Sequence, residues 1–283
     1  MKVLLLGANG QLASDIRRLW NDGSVTVIPA TRADAELTDA AAVNALLQRM
    51  KPDAVINTAA FHNMQAAEDD PEGCFRGNVL AGWNVARAAA AVSAAIYQVS
   101  TDYVFDGEKR TPYLEDDARR SVNIYGAAKI ATEDVVRQAN PNWAIIRVSG
   151  LYGLAGSAGK GGNFVQTMLR MAREDKPIRV VSDQLTAPTN TAAIAEALLP
   201  IVRERGRGVF HLAASEGCSW ATFAQRIFEL SGLAPEFTPV TTAEFAAPNQ
   251  RPMYSVLGST RAPALGHWSQ GLERYLREMA LAR

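Results

Sequence analysis

Short apolar runs alternate with longer amphipathic stretches through the first half of the chain. Val3–Leu6, Val25–Pro29, Ala54–Asn57, Ala95–Val99 and Ala144–Val148 are runs of four or five mostly apolar residues. They are too short for helices and are bounded by Gly, Pro, Asp or Asn, so they predict buried strands. The stretches near 10–20, 40–50, 76–92 and 124–139 carry apolar residues at helical spacing, and Thr38-Asp39 supplies a start signal before "AAAVNALLQRM". Strand, helix and strand repeated in this way predict an α/β fold. Its sheet is parallel and doubly wound in the Rossmann manner, with helices on both faces. Such a sheet binds ligands at the carboxyl ends of its strands.

The pattern loosens after residue 150. "LYGLAGSAGKGGN" is Gly-rich and reads as a mobile loop, followed by a helix from Phe164 to about Glu174. "IRVVSDQLTAPT" reads as a strand and a turn, and "NTAAIAEALLPIVRE" as a helix returning to the sheet. No internal repeat or low-complexity linker separates the parts. The expected division is a dinucleotide-binding lobe over 1–150 and a smaller, mainly substrate-binding lobe over 151–283. The segment from about 178 to 203 is expected to return to the first lobe.

Composition narrows the class. The chain has 283 residues, 48% hydrophobic and 20% charged, and its 29 Lys plus Arg balance 29 Asp plus Glu. That balance provides no field for nucleic acid or an anionic membrane. The basic run Arg203-Glu204-Arg205-Gly206-Arg207 reads as a solvated helix end, where cations suit the dipole. Cys74 and Cys218 lie far apart, without metal spacing, and His62, His211 and His267 are scattered, so no metal site is expected. His211, inside the strand-like "GVFHLAA", reads as a core residue. "MKVLLLGANG" is too short for a signal peptide, and no run reaches the roughly 18 apolar residues of a spanning helix. A cytoplasmic enzyme is the expected class.

Candidate chemistry lies at the ends of the predicted strands. "GANGQLA" places Gly7, Gly10 and Ala13 at steps of three after the first strand. Gly7 permits a tight turn, Gly10 lets backbone approach a pyrophosphate, and Ala13 lets the helix pack on the sheet. The helix N-terminus then receives the anion. The second strand is followed by Thr31 and Arg32 and not by an acid, which favours the 2′-phosphate of NADPH over the free ribose of NADH, without excluding NADH. The strand over 95–99 continues into "STDYVFDG", placing Ser100, Thr101 and Asp102 at the ligand edge. Tyr125 and Lys129 follow at i and i+4, on one face of a helix.

With these pieces in this order, the chain resembles the extended short-chain dehydrogenases/reductases, and within them the dTDP-4-dehydrorhamnose reductases. "GANGQL", "NTAA", "STDYVFDG", "YLEDD", "NIYGAAK", "GGNFVQTMLRMA", "VVSDQLTAPT", "GVFHLAASEGCSWATFA" and "RPMYSVL" carry the resemblance over nearly the whole length. It implies NAD(P)H-dependent reduction of the 4-keto group of a nucleotide-linked 6-deoxyhexose, for deoxysugar and polysaccharide precursors. Hydride transfer leaves an alkoxide, which Tyr125 would protonate. Lys129 is expected to lower the Tyr125 pKa and to hold the nicotinamide ribose. Thr101 would orient the reacting oxygen.

The resemblance also implies the binding residues. Gly7, Asn9, Gly10, Gln11 and Leu12 would hold the pyrophosphate, and Glu36 and Leu37 would lie along the adenine. Ala59, Ala60, Phe61 and Asn78 would form the inner edge of the cofactor site. Asp102, Gly150, Asn163, Phe164, Gln184 and Arg251 would line the sugar-nucleotide side, Arg251 suiting a diphosphate bidentately. Departures fall on the substrate side: His62-Asn63-Met64-Gln65, Ser121, Tyr254, and Gly150 where the family has Trp. Loss of that Trp is expected to open space and relax sugar specificity, unless Phe61, His62 or Tyr254 fills the gap. Two alternatives stay open: a sugar-nucleotide epimerase or dehydratase on the same fold, and a non-catalytic NAD(P)-binding subunit. Tyr103 stands where dehydratases place Glu, and the intact Thr, Tyr and Lys count against a dead site. A homodimer is compatible with the sequence.

Overall fold

Six parallel strands build the main sheet of the computed structural model, which describes residues 1–156, 161–246 and 248–281. They are β1 (Lys2–Leu6), β2 (Thr26–Ala30), β3 (Ala54–Asn57), β4 (Ala95–Thr101), β5 (Trp143–Val148) and β6 (Gly208–His211). Their order is β2-β1-β3-β4-β5-β6, with every pairing parallel. The chain moves one way from β1 to β2 and then returns to the other side of β1 at β3. That reversal opens a crevice at the carboxyl ends of β1 and β3.

The principal helices are α1 (Gln11–Leu19), α2 (Ala40–Met50), α3 (Ala81–Ala91), α4 (Ile124–Ala139), α5 (Phe164–Arg173), α6 (Thr191–Arg203), α7 (Trp220–Ser231) and α8 (Trp268–Leu281). Alternate strand residues sort onto two faces. Val3, Leu5, Ile56, Tyr97 and Ile146 pack with α1 and α6 through Ile16, Ile194 and Leu198. Leu4, Leu6, Val55, Ile96 and Ile145 pack with α2, α3 and α4 through Leu46, Leu47, Val85 and Val136. Both faces are covered over β1, β3, β4 and β5, so those strands carry near-continuous apolar runs rather than an alternation.

A π-helical turn, Arg76–Leu80, precedes α3 where the periodicity predicted one continuous helix. Within the segment 178–203, α6 returns to the main sheet, whereas Ile178–Val181 does not: it pairs with Phe237–Val240. Ile178 and Val180 bury themselves with α5, α7 and α8 in a separate core containing Tyr152, Phe223, Trp268 and Tyr275. The centre of the Gly-rich stretch expected to be a mobile loop, residues 157–160, lies outside the described residues.

One ion pair is sealed beneath the carboxyl end of the sheet. Arg147 on β5 meets Glu133 on α4 in a two-pronged contact, Nε to Oε1 at 2.9 Å and Nη2 to Oε2 at 2.8 Å. Their side chains are 1% and 0% exposed. Ser100 on β4 donates to the same carboxylate at 2.7 Å, and Arg119 at 3.2 Å. Burial alone would raise the Glu133 pKa, but the Arg147 and Ser100 contacts outweigh it and hold the carboxyl below its ordinary value. His211 on β6 is a core residue, its Nδ1 near the carbonyls of Gly258 and Tyr113 at 2.8 and 3.1 Å and its Nε2 3.2 Å from Arg147.

Glu133→Ala is expected to cost about 3–5 kcal/mol of folding free energy, because it strands a buried guanidinium. Because the Glu133 pKa is lowered on folding, its contribution is present above the ordinary carboxylate range and disappears as pH falls below it. Urea unfolding of both proteins across pH checks both points: the gap in stability should narrow toward acid.

Candidate active site

The turn after β1 forms a cradle of backbone. Gly7 has φ of +75°, and a Cβ there would sit 2.8 Å from both Ala59 N and Thr58 Oγ1. The loops following β1 and β3 therefore touch, which only glycine permits. Gly10 occupies the N-cap of α1 with no side chain to satisfy the first-turn N–H groups, and no acid lies in that turn. Those groups remain directed at the crevice. Gln11 donates from Nε2 to Leu151 O at 3.1 Å, while its Oε1 is buried without a partner. Asn9 is exposed at the rim, and Leu12 turns its side chain into the core. An uncapped, acid-free helix end at a backbone cradle fits a dinucleotide pyrophosphate.

Beyond β2, Thr31 spends its N–H and hydroxyl on Asp34 Oδ2, at 2.8 and 3.0 Å. Arg32 extends into solvent, and its Nε meets Glu36 Oε2 at 2.5 Å. Leu37 accepts from Asn84 Nδ2 at 3.0 Å through its carbonyl. Beyond β3, Asn57 Oδ1 receives Ala59 N at 3.1 Å, and Ala60 and Phe61 follow in the same half-buried stretch. Asn78, buried in the π-helical turn, accepts from Phe61 N at 3.2 Å and donates to Phe61 O at 3.0 Å. Its side chain is thus occupied in holding the 59–61 backbone beneath the crevice.

The reacting end lies at β4. Its last residue, Thr101, caps a single turn, Asp102–Val104. The start of α4 packs directly onto that turn because residue 126 is glycine: a Cβ there would collide with Tyr103 O and Ser121 Oγ. Asn123 caps α4, its Oδ1 accepting from Gly126 N at 2.8 Å while its Nδ2 donates to Gln250 O at 3.0 Å. This close approach brings the Tyr125 phenol beside Thr101, whose hydroxyl bears on its titration. The Tyr103 ring stands edge-on to Tyr125, with centroids 6.2 Å apart.

The electrostatics correct one expectation. Burial pushes the Tyr125 phenol up, the charge of Asp102 adds to that rise, and Thr101 opposes it. The pKa is therefore raised, not lowered, by its surroundings. Lys129, 2% exposed, donates from Nζ to Val99 O at 2.7 Å. Burial brings its pKa down to about 8, against the pull of Glu133 one turn further along α4. Asp102 is also buried, and its carboxyl is pushed up by burial although Ser255, Ser149 and Thr101 hydrogen-bond to it.

On the opposite side of the crevice the predicted residues divide. Arg251 keeps a buried Nε without a partner, makes no ion pair among the described residues, and its charge bears on the Tyr103 phenol. Asn163 caps α5, forms a capping box with Gln166 and donates to Gly153 O at 2.9 Å. Phe164 packs against Trp220 and Phe223 in the smaller core. Gln184 is buried and donates to Thr242 Oγ1 at 3.1 Å. Gly150 adopts φ of +53°, and a Cβ there would meet Pro188 Cα at 2.9 Å. Backbone at 187–188 therefore packs directly against Gly150. Ser149, Thr186 and Ser255, which surround Asp102, were not singled out by the sequence. They come from three segments far apart in the chain and share no spacing. No group of His, Cys, Asp or Glu suited to a metal occurs among the described residues.

Comparison with known proteins places this geometry. The model of the RmlD substrate binding domain matches residues 1–281. The spore coat polysaccharide biosynthesis protein SpsK of Bacillus subtilis is 35% identical, over 99% of each chain. A dTDP-4-dehydrorhamnose reductase of Clostridium acetobutylicum superimposes with a TM-score of 0.93 at 37% identity, over 99% of this chain and 100% of that one. That of Bacillus anthracis, solved in complex with NADP, gives a TM-score of 0.93 at 32% identity, covering 98% of this chain and 99% of its own. By sequence and by architecture the chain belongs to the RmlD substrate binding domain family, that of the dTDP-4-dehydrorhamnose reductases.

Proposed function

We propose that this chain uses NADPH to reduce the 4-keto group of a nucleoside-diphospho-6-deoxyhexose, as a dTDP-4-dehydrorhamnose reductase supplying deoxysugar precursors for polysaccharide. The observation that carries the reading is the meeting of Thr101 and Tyr125 at the end of β4, with Lys129 one turn along α4. The same sheet edge bears the Gly7–Gly10 cradle at β1. A bound nicotinamide dinucleotide supplies the hydride that reaches the carbonyl carbon.

Tyr125 gives its phenolic proton to the carbonyl oxygen, and the resulting phenolate recovers a proton from solvent. A raised pKa suits this direction: the phenol stays protonated at neutral pH, and an alkoxide is basic enough to take the proton. Below about pH 8, Lys129 remains an ammonium and serves the ribose hydroxyls and the phenolate as it forms. Gly7, Asn9, Gly10, Gln11 and Leu12 hold the pyrophosphate, and Arg32 meets the 2′-phosphate by exchanging its contact with Glu36. Arg251, with its unpartnered Nε, takes the substrate diphosphate. Residues 1–150 with α6 and β6 form the dinucleotide lobe, and the remainder mainly holds the sugar. Cys74 and Cys218 are buried free thiols, in keeping with a reducing cytoplasm.

Oxidation of NADPH by dTDP-4-dehydrorhamnose tests the reading, and no turnover with this or any other 4-keto sugar nucleotide would overturn it. Tyr125→Phe should lower kcat by about 10² to 10⁴ with dinucleotide affinity nearly intact. Arg32→Ala should reduce kcat/KM for NADPH by about 10- to 100-fold, the worth of charged hydrogen bonds, and leave NADH almost unaffected. Dinucleotide affinity, followed by fluorescence, should weaken as pH rises through about 8 and Lys129 loses its charge. In Lys129→Ala, affinity should be low at every pH and that dependence absent.

A further inference from the structure

Thr101 has one hydroxyl proton to give, and its neighbours limit where it can go. Its Oγ1 donates to Asp102 Oδ1 at 2.9 Å and accepts from Tyr103 N at 3.2 Å. While Asp102 is a carboxylate, the hydroxyl proton is held by that acceptor and is not directed at a ligand. The other carboxyl oxygen, Oδ2, receives Ser149 Oγ at 2.9 Å, and Ser149 lies 2.9 Å from Thr186 Oγ1. Ser255 adds a third hydroxyl.

The groups around Asp102 are otherwise neutral. Tyr125 faces it from α4, Tyr103 from its own turn, Ser149 from the end of β5, and Ser255 from the C-terminal segment, while Thr186 of the short strand Leu185–Thr186 stands behind Ser149. Arg251 reaches Tyr103, but no cation pairs with Asp102 among the described residues, although 3% exposure leaves it almost no water. A carboxylate sealed from water and paired with no cation is costly, and protonation removes that cost.

We propose that Asp102 is a positioning residue that works in its protonated form, donating to Thr101 Oγ1 so that the Thr101 hydroxyl proton turns to the carbonyl oxygen of a 4-keto sugar nucleotide. This rests on the reductase reading above. Oδ2 remains free to accept from Ser149. Protonation also withdraws a negative charge from beside Tyr125, easing formation of its phenolate. Asp102 acts through Thr101 and Tyr125 and exchanges no proton with substrate.

Asp102→Asn tests the proposal, because an amide of the same shape donates to Thr101 at every pH. A difference infrared spectrum, wild type minus Asp102→Asn at pH 7, should contain the carbonyl band of a protonated carboxyl. Turnover of dTDP-4-dehydrorhamnose by the wild type should fall as Asp102 ionises with rising pH. Asp102→Asn should lack that limb, keeping only the one that belongs to Lys129, and should retain activity within about tenfold. Asp102→Ala should lose about 10² to 10³, the worth of an oriented donor to the reacting oxygen. Absence of the infrared band, or an Asp102→Asn enzyme as slow as Asp102→Ala, would overturn the proposal. The infrared comparison stands even where the Ala variant fails to fold. An inactive wild type that still shows the band would sink the reductase reading and leave the protonated Asp102 in place.

Discussion

The bidentate pair between Glu133 and Arg147 fixes the relation among the three elements on which the site is built. Arg147 belongs to β5, Glu133 to α4, and Ser100, hydrogen-bonded to the same carboxylate, to β4. Ser100 is the residue before Thr101, and Glu133 lies one turn beyond Lys129. A shift of α4 along the sheet would therefore break the pair before it separated Tyr125 from Thr101. Buried ion pairs contribute little net stability relative to apolar packing, yet removing one partner is severe. Here that asymmetry serves registration: wrong positions of the helix are penalised more than the right one is rewarded.

Lys129 illustrates the same economy of charge. Its ammonium is buried, held by the Val99 carbonyl and favoured by the nearby carboxylate of Glu133. Desolvation brings it toward neutrality, while Glu133 keeps it charged in the physiological range. A lysine on the same helix without that carboxylate one turn away would lose its proton more readily. The network thus supports the cation electrically as well as mechanically.

Much of this was legible in the chain. Parallel strands buried on both faces leave continuous apolar runs, so β1, β3, β4 and β5 stood out, as did the Gly7–Gly10 turn and the Tyr125/Lys129 spacing. What could not be read depends on distant backbone. The backbone packed against Gly150 is that of Pro188, and the surroundings of Asp102 come from residues at 149, 186 and 255. The sign of the Tyr125 shift was misjudged because desolvation is a property of packing, and the Tyr/Lys spacing carries no measure of it. Ile178–Val181 looked like any buried strand. Only its partner, Phe237–Val240, assigns it to the smaller core.

The order of strands in the main sheet has a consequence for how the molecule comes into being. β6, Gly208–His211, forms the edge beside β5, and α6 covers a face occupied also by α1. Between β5 and these elements the chain makes its first excursion into the smaller core, and it re-enters that core after β6. On the ribosome, one face of the sheet is covered by α1 alone until α6 has emerged. Parallel pairing of this kind joins residues far apart in sequence, which slows folding and leaves strand edges open meanwhile. The nascent first lobe, though nearly complete in motifs by residue 150, has to wait for chain made much later before its apolar face is closed.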